Sequence, residues 1–213
     1  DFVDVITGSA RLSQALVKDK QLENLYILPA CQTRDKDALT DEGVAEVMSE
    51  LSKQFDYIIC DSPAGIERGA QLAMYHADEA IIVTKPEISS VRDSDRIIGI
   101  LQSQTKKVEE NQGSVREHLI ITRYNAERAA ANEMMDIDTI SNDILKVPLL
   151  GVVPESHSVL EASNHGEPVI HYTDSVAGQC YDDIVARFLG EERPLRHIDV
   201  KKKSLLQRWF GGQ

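Results

Sequence analysis

Asp61 closes the apolar run Tyr57-Ile58-Ile59-Cys60 and leads at once into Ser62-Pro63-Ala64-Gly65. A carboxylate delivered by a buried strand into a glycine-containing turn can hold a water on magnesium, while the turn's amides point at a terminal phosphate. The same residues also spell an ordinary acid-ended turn, so the chemistry needs a second half. That half would be a phosphate cradle, a Gly-rich backbone ending in Gly-Lys-Ser/Thr whose amides wrap the phosphates and whose lysine neutralises them. No glycine in the chain is followed by lysine, and no Gly-x-Gly-x-x-Gly marks a dinucleotide site. The remaining reactive side chains offer less. Cys31, Cys60 and Cys180 form no Cys-x-x-Cys pair and have no zinc-ligand spacing, and Cys60, inside an apolar run, reads as a small core residue. His76, His118, His157, His165, His171 and His197 also lack ligand spacing and read as surface or capping groups.

The elements that must position Asp61 come next. Five apolar runs read as strands: 25–30, 57–61, 80–85, 119–124 and 149–155. They are nearly continuous in Leu, Ile and Val instead of alternating, as in strands covered on both faces, and this predicts a parallel sheet. Helical stretches lie between them. Thr40 is a candidate N-cap for a helix that puts Val44, Val47, Met48 and Leu51 on one face. A second helix starts after Pro86 and buries Val91, Ile97, Ile98 and Leu101. Two later helices are predicted to stop at Gly166 and Gly190, with Pro168 and Pro194 soon after. Alternating strand and helix is the mark of a doubly wound α/β fold, in which ligands bind beyond the carboxyl ends of the strands. Asp61, Lys85, Asn125, Pro154 and Glu155 all fall at or just past such ends.

The chain of 213 residues carries a net charge of -12, which argues against a general affinity for nucleic acid. The charge is uneven. The last thirteen residues, KKKSLLQRWFGGQ, hold four basic groups and no acid, leaving 19 basic against 35 acidic side chains in residues 1–200. On a wheel drawn at ~100° per residue, Leu205, Leu206, Trp209 and Phe210 span roughly 140°. Arg208 lies opposite, Lys203 at the edge, and Lys202 falls inside the arc, where its long stem can snorkel. This composition predicts an interfacial amphipathic helix that binds anionic lipid. No apolar run approaches the ~20 residues that cross a bilayer. The expected organisation is an α/β body over 1–192, a linker over 193–200 and a tail over 201–213.

Taken in order, IICDSPAGIE, EAIIVTKPEISSVRDSDRIIGIL, LIITRYN, GVVPESHSVLEASNHGEPVI and the basic amphipathic end resemble the deviant Walker A (ParA/MinD) ATPase family. The resemblance implies a P-loop NTPase-like fold and ATP hydrolysis with Mg2+. It also implies an ATP-driven homodimer on the cytoplasmic face of the inner membrane, selecting the division site. By that likeness Asp61 is the acid that holds the magnesium-bound water, and Gly65 the glycine whose amide senses the γ-phosphate. Asn125 reads the adenine edge, and Pro154 with Glu155 lines the base pocket. On the polar side of the helix after Pro86, Ser89, Arg92, Asp93 and Asp95 become candidate contacts for the division inhibitor MinC and the regulator MinE. From charge spacing alone that face is solvated, with Arg92–Asp95 and Asp93–Arg96 pairs. The family's opening strand and P-loop have no counterpart here, so the cradle is expected upstream of these residues and the chain as written is expected to be inactive alone. The alternative is a membrane-recruited adaptor that keeps the docking helix and tail without catalysis. Iron-sulfur carriers of the same fold need paired cysteine ligands, and DNA-segregating relatives need a basic surface; this sequence offers neither.

Overall fold

The structure, a computed structural model, describes residues 1–30, 39–62 and 65–199. They cluster into two units, Asp1–Asp78 with Ile100–Val115, and Glu79–Gly99 with the residues from Arg116 onward. In the first unit, Asp1 caps helix α1 (Phe2–Ile6) by accepting from the Asp4 amide, and the short α2 (Leu12–Ala15) comes next. Strands β1 (Val17–Lys18) and β2 (Tyr26–Ile27) then pair antiparallel over two residues. This corrects the parallel strand expected over 25–30. The Asp19 carboxylate accepts from the Gln21 and Leu22 amides at 2.8 Å each, an Asx turn that folds the run back onto its own neighbour. The same amides, Leu22 first, hold that carboxyl below its ordinary range.

Helix α3 (Asp41–Leu51) starts where predicted, with Thr40 Oγ1 accepting from the Gly43 amide at 3.2 Å. Val44, Val47 and Leu51 are buried and Met48 half-buried, as the helical period requires. A side chain at Gly43 would collide with Ile6, so the glycine lets α1 and α3 approach. Residues 57–61 correct a second expectation, because they form no strand. Tyr57 is 65% and Ile59 89% exposed, and Cys60 is exposed instead of sitting in the core. A strand needs a neighbour for its amides and carbonyls, and no described residue pairs with this run in either sheet. Helix α4 (Arg68–Tyr75) closes the segment, burying Ala70, Leu72 and Met74.

The second unit holds the parallel sheet. Strand β3 (Glu79–Thr84) leads into helix α5 (Ile88–Ser103), which buries Val91, Ile98 and Leu101 at 1%, 4% and 1% exposure, with Ile97 half-buried. After α6 (Lys106–Glu109), which belongs to the first unit, comes β4 (Arg116–Tyr124), then α7 (Ala126–Ala130), a π-helical turn (Thr139–Ile144) and β5 (Leu149–Pro154). The order is β3-β4-β5 and both pairings are parallel, as the continuous apolar runs predict. Leu119 and Ile121 are fully buried, while Ile120, Leu150 and Val153 pack with Ala177, Cys180 and Ile184. The last three belong to α9 (Val176–Phe188), which comes after α8 (His157–His165). Gly166, at φ 68°, takes the left-handed conformation that stops α8, and Gly190 sits at φ 92° just past α9. Ile81 and Val83, on the outer strand β3, are 47% and 59% exposed.

Candidate functional site

The carboxyl ends of the three parallel strands deliver Lys85, Asn125 and Glu155 to one edge of the second unit. Tyr124 and Pro154 are opposite one another in the β4–β5 pairing. Just beyond them the Glu155 amide donates to the Tyr124 carbonyl at 3.1 Å, so Asn125 stands beside Pro154 and Glu155. Asn125 Oδ1 accepts from the Glu127 and Arg128 amides at 3.1 Å each, capping α7. With the carbonyl oxygen so engaged, the side-chain NH2 keeps its two donors. The Asn125 amide in turn points to Met134 Sδ at 3.4 Å. Two NH donors beside a proline ring suit the edge and face of a flat heteroaromatic ring. No partner is recorded among the described residues for Lys85 Nζ or the Glu155 carboxylate. Tyr124 is 6% exposed, and burial, helped by Asp136, Asp138 and Asp199, pushes its phenol up.

Asp61 and Gly65 belong to the first unit. The Asp61 side chain is exposed, and no ion pair engages it among the described residues. A free hard-oxygen donor of this kind fits a magnesium-bound water. Gly65 has φ 111° and nothing within 4 Å of where a Cβ would sit. Its backbone conformation, not crowding, is what calls for glycine.

Ser89, Arg92, Asp93 and Asp95 are exposed on α5. The expected Arg92–Asp95 and Asp93–Arg96 pairs are absent. Holding two long solvated side chains together costs about as much entropy as the screened attraction returns. Lys202, Lys203, Leu205, Leu206, Arg208, Trp209 and Phe210 lie outside the described residues.

Sequence reasoning missed the opposite, amino edge of the same sheet. Glu79 contacts Arg116 at 3.1 Å and His118 Nε2 at 2.7 Å, so His118 is a hydrogen-bond partner of a strand carboxylate and not a surface cap. Asp183, its side chain 2% exposed, faces Arg196 with Nε 2.8 Å from Oδ2 and Nη2 donating to Oδ1 at 3.1 Å. Arg193 adds a longer contact at 3.8 Å. Arg187 donates to the carbonyls of Leu150, Arg193 and Pro194, fastening residues 193–196 onto α9. An open groove of about 710 Å³ runs between His118, Leu150, Arg187 and Arg193. No local period links partners this far apart in sequence.

A model of the CobQ/CobB/MinD/ParA nucleotide binding domain matches residues 8–169. The septum site-determining protein MinD of Neisseria meningitidis serogroup B is 61% identical over 215 residues, covering 100% of this chain and 79% of that protein. Its counterpart in Escherichia coli K12 is 57% identical, covering 100% and 78%. Among solved structures, the Aquifex aeolicus MinD cell division protein superimposes with a TM-score of 0.78 at 35% identity, covering 92% of this chain and 77% of that one. The Aquifex aeolicus MinC:MinD complex gives 0.75 at 36%, covering 92% and 76%. The Pyrococcus horikoshii septum site-determining protein complexed with Mg-ADP gives 0.69 at 29%, covering 88% and 74%.

Proposed function

The chain belongs to the CobQ/CobB/MinD/ParA nucleotide-binding family, in its septum site-determining MinD branch, and from that premise we propose that it serves a nucleotide-switched ATPase on the cytoplasmic face of the inner membrane. The observation that carries this reading is the meeting of Asn125 with Pro154 and Glu155 at the carboxyl edge of the sheet. Asn125 donates its NH2 to the adenine edge, and Pro154 with Glu155 lines the base pocket. Asp61 orients a water on the metal, and the Gly65 amide faces the terminal phosphate. Magnesium, when bound, supplies the positive charge that offsets the phosphates. Support for the cofactor pair comes from the Mg-ADP complex of the Pyrococcus horikoshii relative.

Partner contacts obey the same logic. Ser89, Arg92, Asp93 and Asp95 are exposed with none of the expected pairs formed between them, and we assign them to MinC and MinE; a MinC:MinD complex is known for the Aquifex aeolicus relative. Residues 1–192 make the nucleotide-binding part and 201–213 the lipid-binding tail; of the linker expected over 193–200, residues 193–196 are held against α9. Among the described residues no helix is long and apolar enough to cross a membrane. One short basic tail binds anionic lipid weakly, and two on an ATP-driven homodimer gain avidity. In this reading Asn125, Pro154 and Glu155 hold the base and Asp61 the metal water.

Sedimentation with phosphatidylglycerol-containing vesicles tests the reading, using the chain, a form ending at residue 200, and the chain joined to a Gly-Lys-Thr-bearing cradle segment. The shortened form is expected to stay in the supernatant, and the chain to sediment weakly with or without Mg-ATP. The cradle-bearing form should sediment about 100-fold more tightly with Mg-ATP. Sedimentation of that form regardless of nucleotide overturns the switch. Loss of ATP-dependent sedimentation and turnover on Asp61→Ala in the same form supports the metal-water role, and unchanged turnover removes it.

A further inference from the structure

Arg123 has φ 56°, and among the described residues it is the only non-glycine residue with positive φ inside a helix or strand; Asn111, Asn132, Lys146 and His197 lie in turns and loops. The left-handed region is unfavourable for a residue with a Cβ, and arginine lacks the short polar side chain that lets Asn and Asp tolerate it. A conformation of this kind persists only where its surroundings fix it.

The reason lies in the alternation of β4. Leu119 and Ile121 are both 0% exposed and share a face, since side chains alternate with a period of two. An unbroken strand would send Arg123 to that same buried face, where an unpaired guanidinium is costly. The left-handed turn swings Arg123 into solvent and leaves Tyr124 buried. The pairing with β5 carries the turn as a register shift between Thr122 and Tyr124, the form of a bulge, which re-aims the residues after it. Those re-aimed residues make the candidate base site. Tyr124 comes opposite Pro154, its carbonyl takes the Glu155 amide at 3.1 Å, and Asn125 is left capping α7 through its Oδ1.

We propose that Arg123 is a positioning residue whose left-handed backbone, and not its guanidinium, sets the gap between Asn125 and Pro154–Glu155 that receives a purine ring. This rests on the nucleotide reading above. It also predicts which substitutions are tolerated. Glycine and asparagine hold a left-handed backbone; a β-branched side chain does not.

The test is nitrogen-15 NMR of the whole chain and of its Arg123→Gly, Arg123→Asn and Arg123→Val variants, titrated with adenosine. Exchange of the Glu155 amide reports the clasp to Tyr124, and the Asn125 side-chain NH2 resonances report the base. The Gly and Asn variants should keep the slow Glu155 exchange and bind adenosine within about twofold of the parent. Arg123→Val should lose the slow exchange and about tenfold in adenosine affinity, the order expected for one misaligned hydrogen bond. Should Arg123→Val fail to fold, Arg123→Thr, also β-branched, makes the same comparison and must fall below both Gly and Asn. Retention of both signals by the Val or Thr variant, or equal loss in all variants, overturns the inference. A parent chain that shows a slow Glu155 amide but no adenosine shifts overturns the nucleotide reading itself, independently of how the variants rank.

Discussion

The two edges of the β3-β4-β5 sheet are built from similar residue types and put to opposite uses. At the amino edge the polar groups face one another: Glu79 with Arg116 and His118, Asp183 with Arg196 and Arg193, and Arg187 with three carbonyls. At the carboxyl edge Lys85, the Asn125 NH2 and the Glu155 carboxylate have no recorded protein partner among the described residues, and the backbone departs from regular geometry at Arg123. Polar groups that are already paired hold a fold together. Those left unpaired at a strand end, beside strained backbone, are available to a ligand. The groove of about 710 Å³ lies at the paired edge, away from the edge proposed for the nucleotide.

Breaking the amino edge should cost stability, and the largest effect should come from stranding a buried charge. The double variant Arg193→Gln/Arg196→Gln leaves the Asp183 carboxylate, 2% exposed, without its cations, and urea unfolding should show a loss of about 3 kcal/mol. Next is Gly178→Ala. Its Cβ would stand 2.6 Å from the Tyr172 carbonyl oxygen and 2.9 Å from that of Val169. Backbone cannot step aside as a side chain can, so a loss of about 1–3 kcal/mol is expected in the same measurement.

The carboxyl edge should behave the other way, with small effects on folding and large ones on ligand. Asn125→Ala removes the cap of α7 and should cost about 1 kcal/mol, whereas Asn125→Asp keeps an acceptor for the Glu127 and Arg128 amides and should cost little. Both remove the NH2 donors, so both should lose adenosine binding in calorimetric titration. The smallest effect belongs to Lys85→Gln and Glu155→Gln, expected within about 0.5 kcal/mol of the parent in urea unfolding. A large destabilisation there would mean that this edge, too, is structural.

The contrast also explains how much could be read from the sequence. Strands β3, β4 and β5 and helices α3, α5, α8 and α9 were legible because their signals are local: continuous apolar runs, Thr40 as a cap, Gly166 and Gly190 as stops. The runs at 25–30 and 57–61 carry the same signal and form no parallel strand. Apolar content expresses a preference for burial, but a neighbour must supply the hydrogen bonds, and composition does not name that neighbour. Asn125, Pro154 and Glu155 were legible as strand-end residues, and the parallel register brings them together. Arg123 was not, since a left-handed non-glycine residue leaves no mark in the sequence. The Asp183 cluster was invisible for a different reason. Its partners lie 10 and 13 residues away, across a helix end, where no periodicity operates.

The most direct test of the assignment of nucleotide to the carboxyl edge is photolabelling of the chain with 2-azido-ATP in the presence of magnesium, followed by peptide mapping. Labelling within residues 122–128 and 153–157, suppressed by excess ATP, is the expected result. Labelling concentrated at 116–118 or 187–196, or labelling that excess ATP does not suppress, would contradict it.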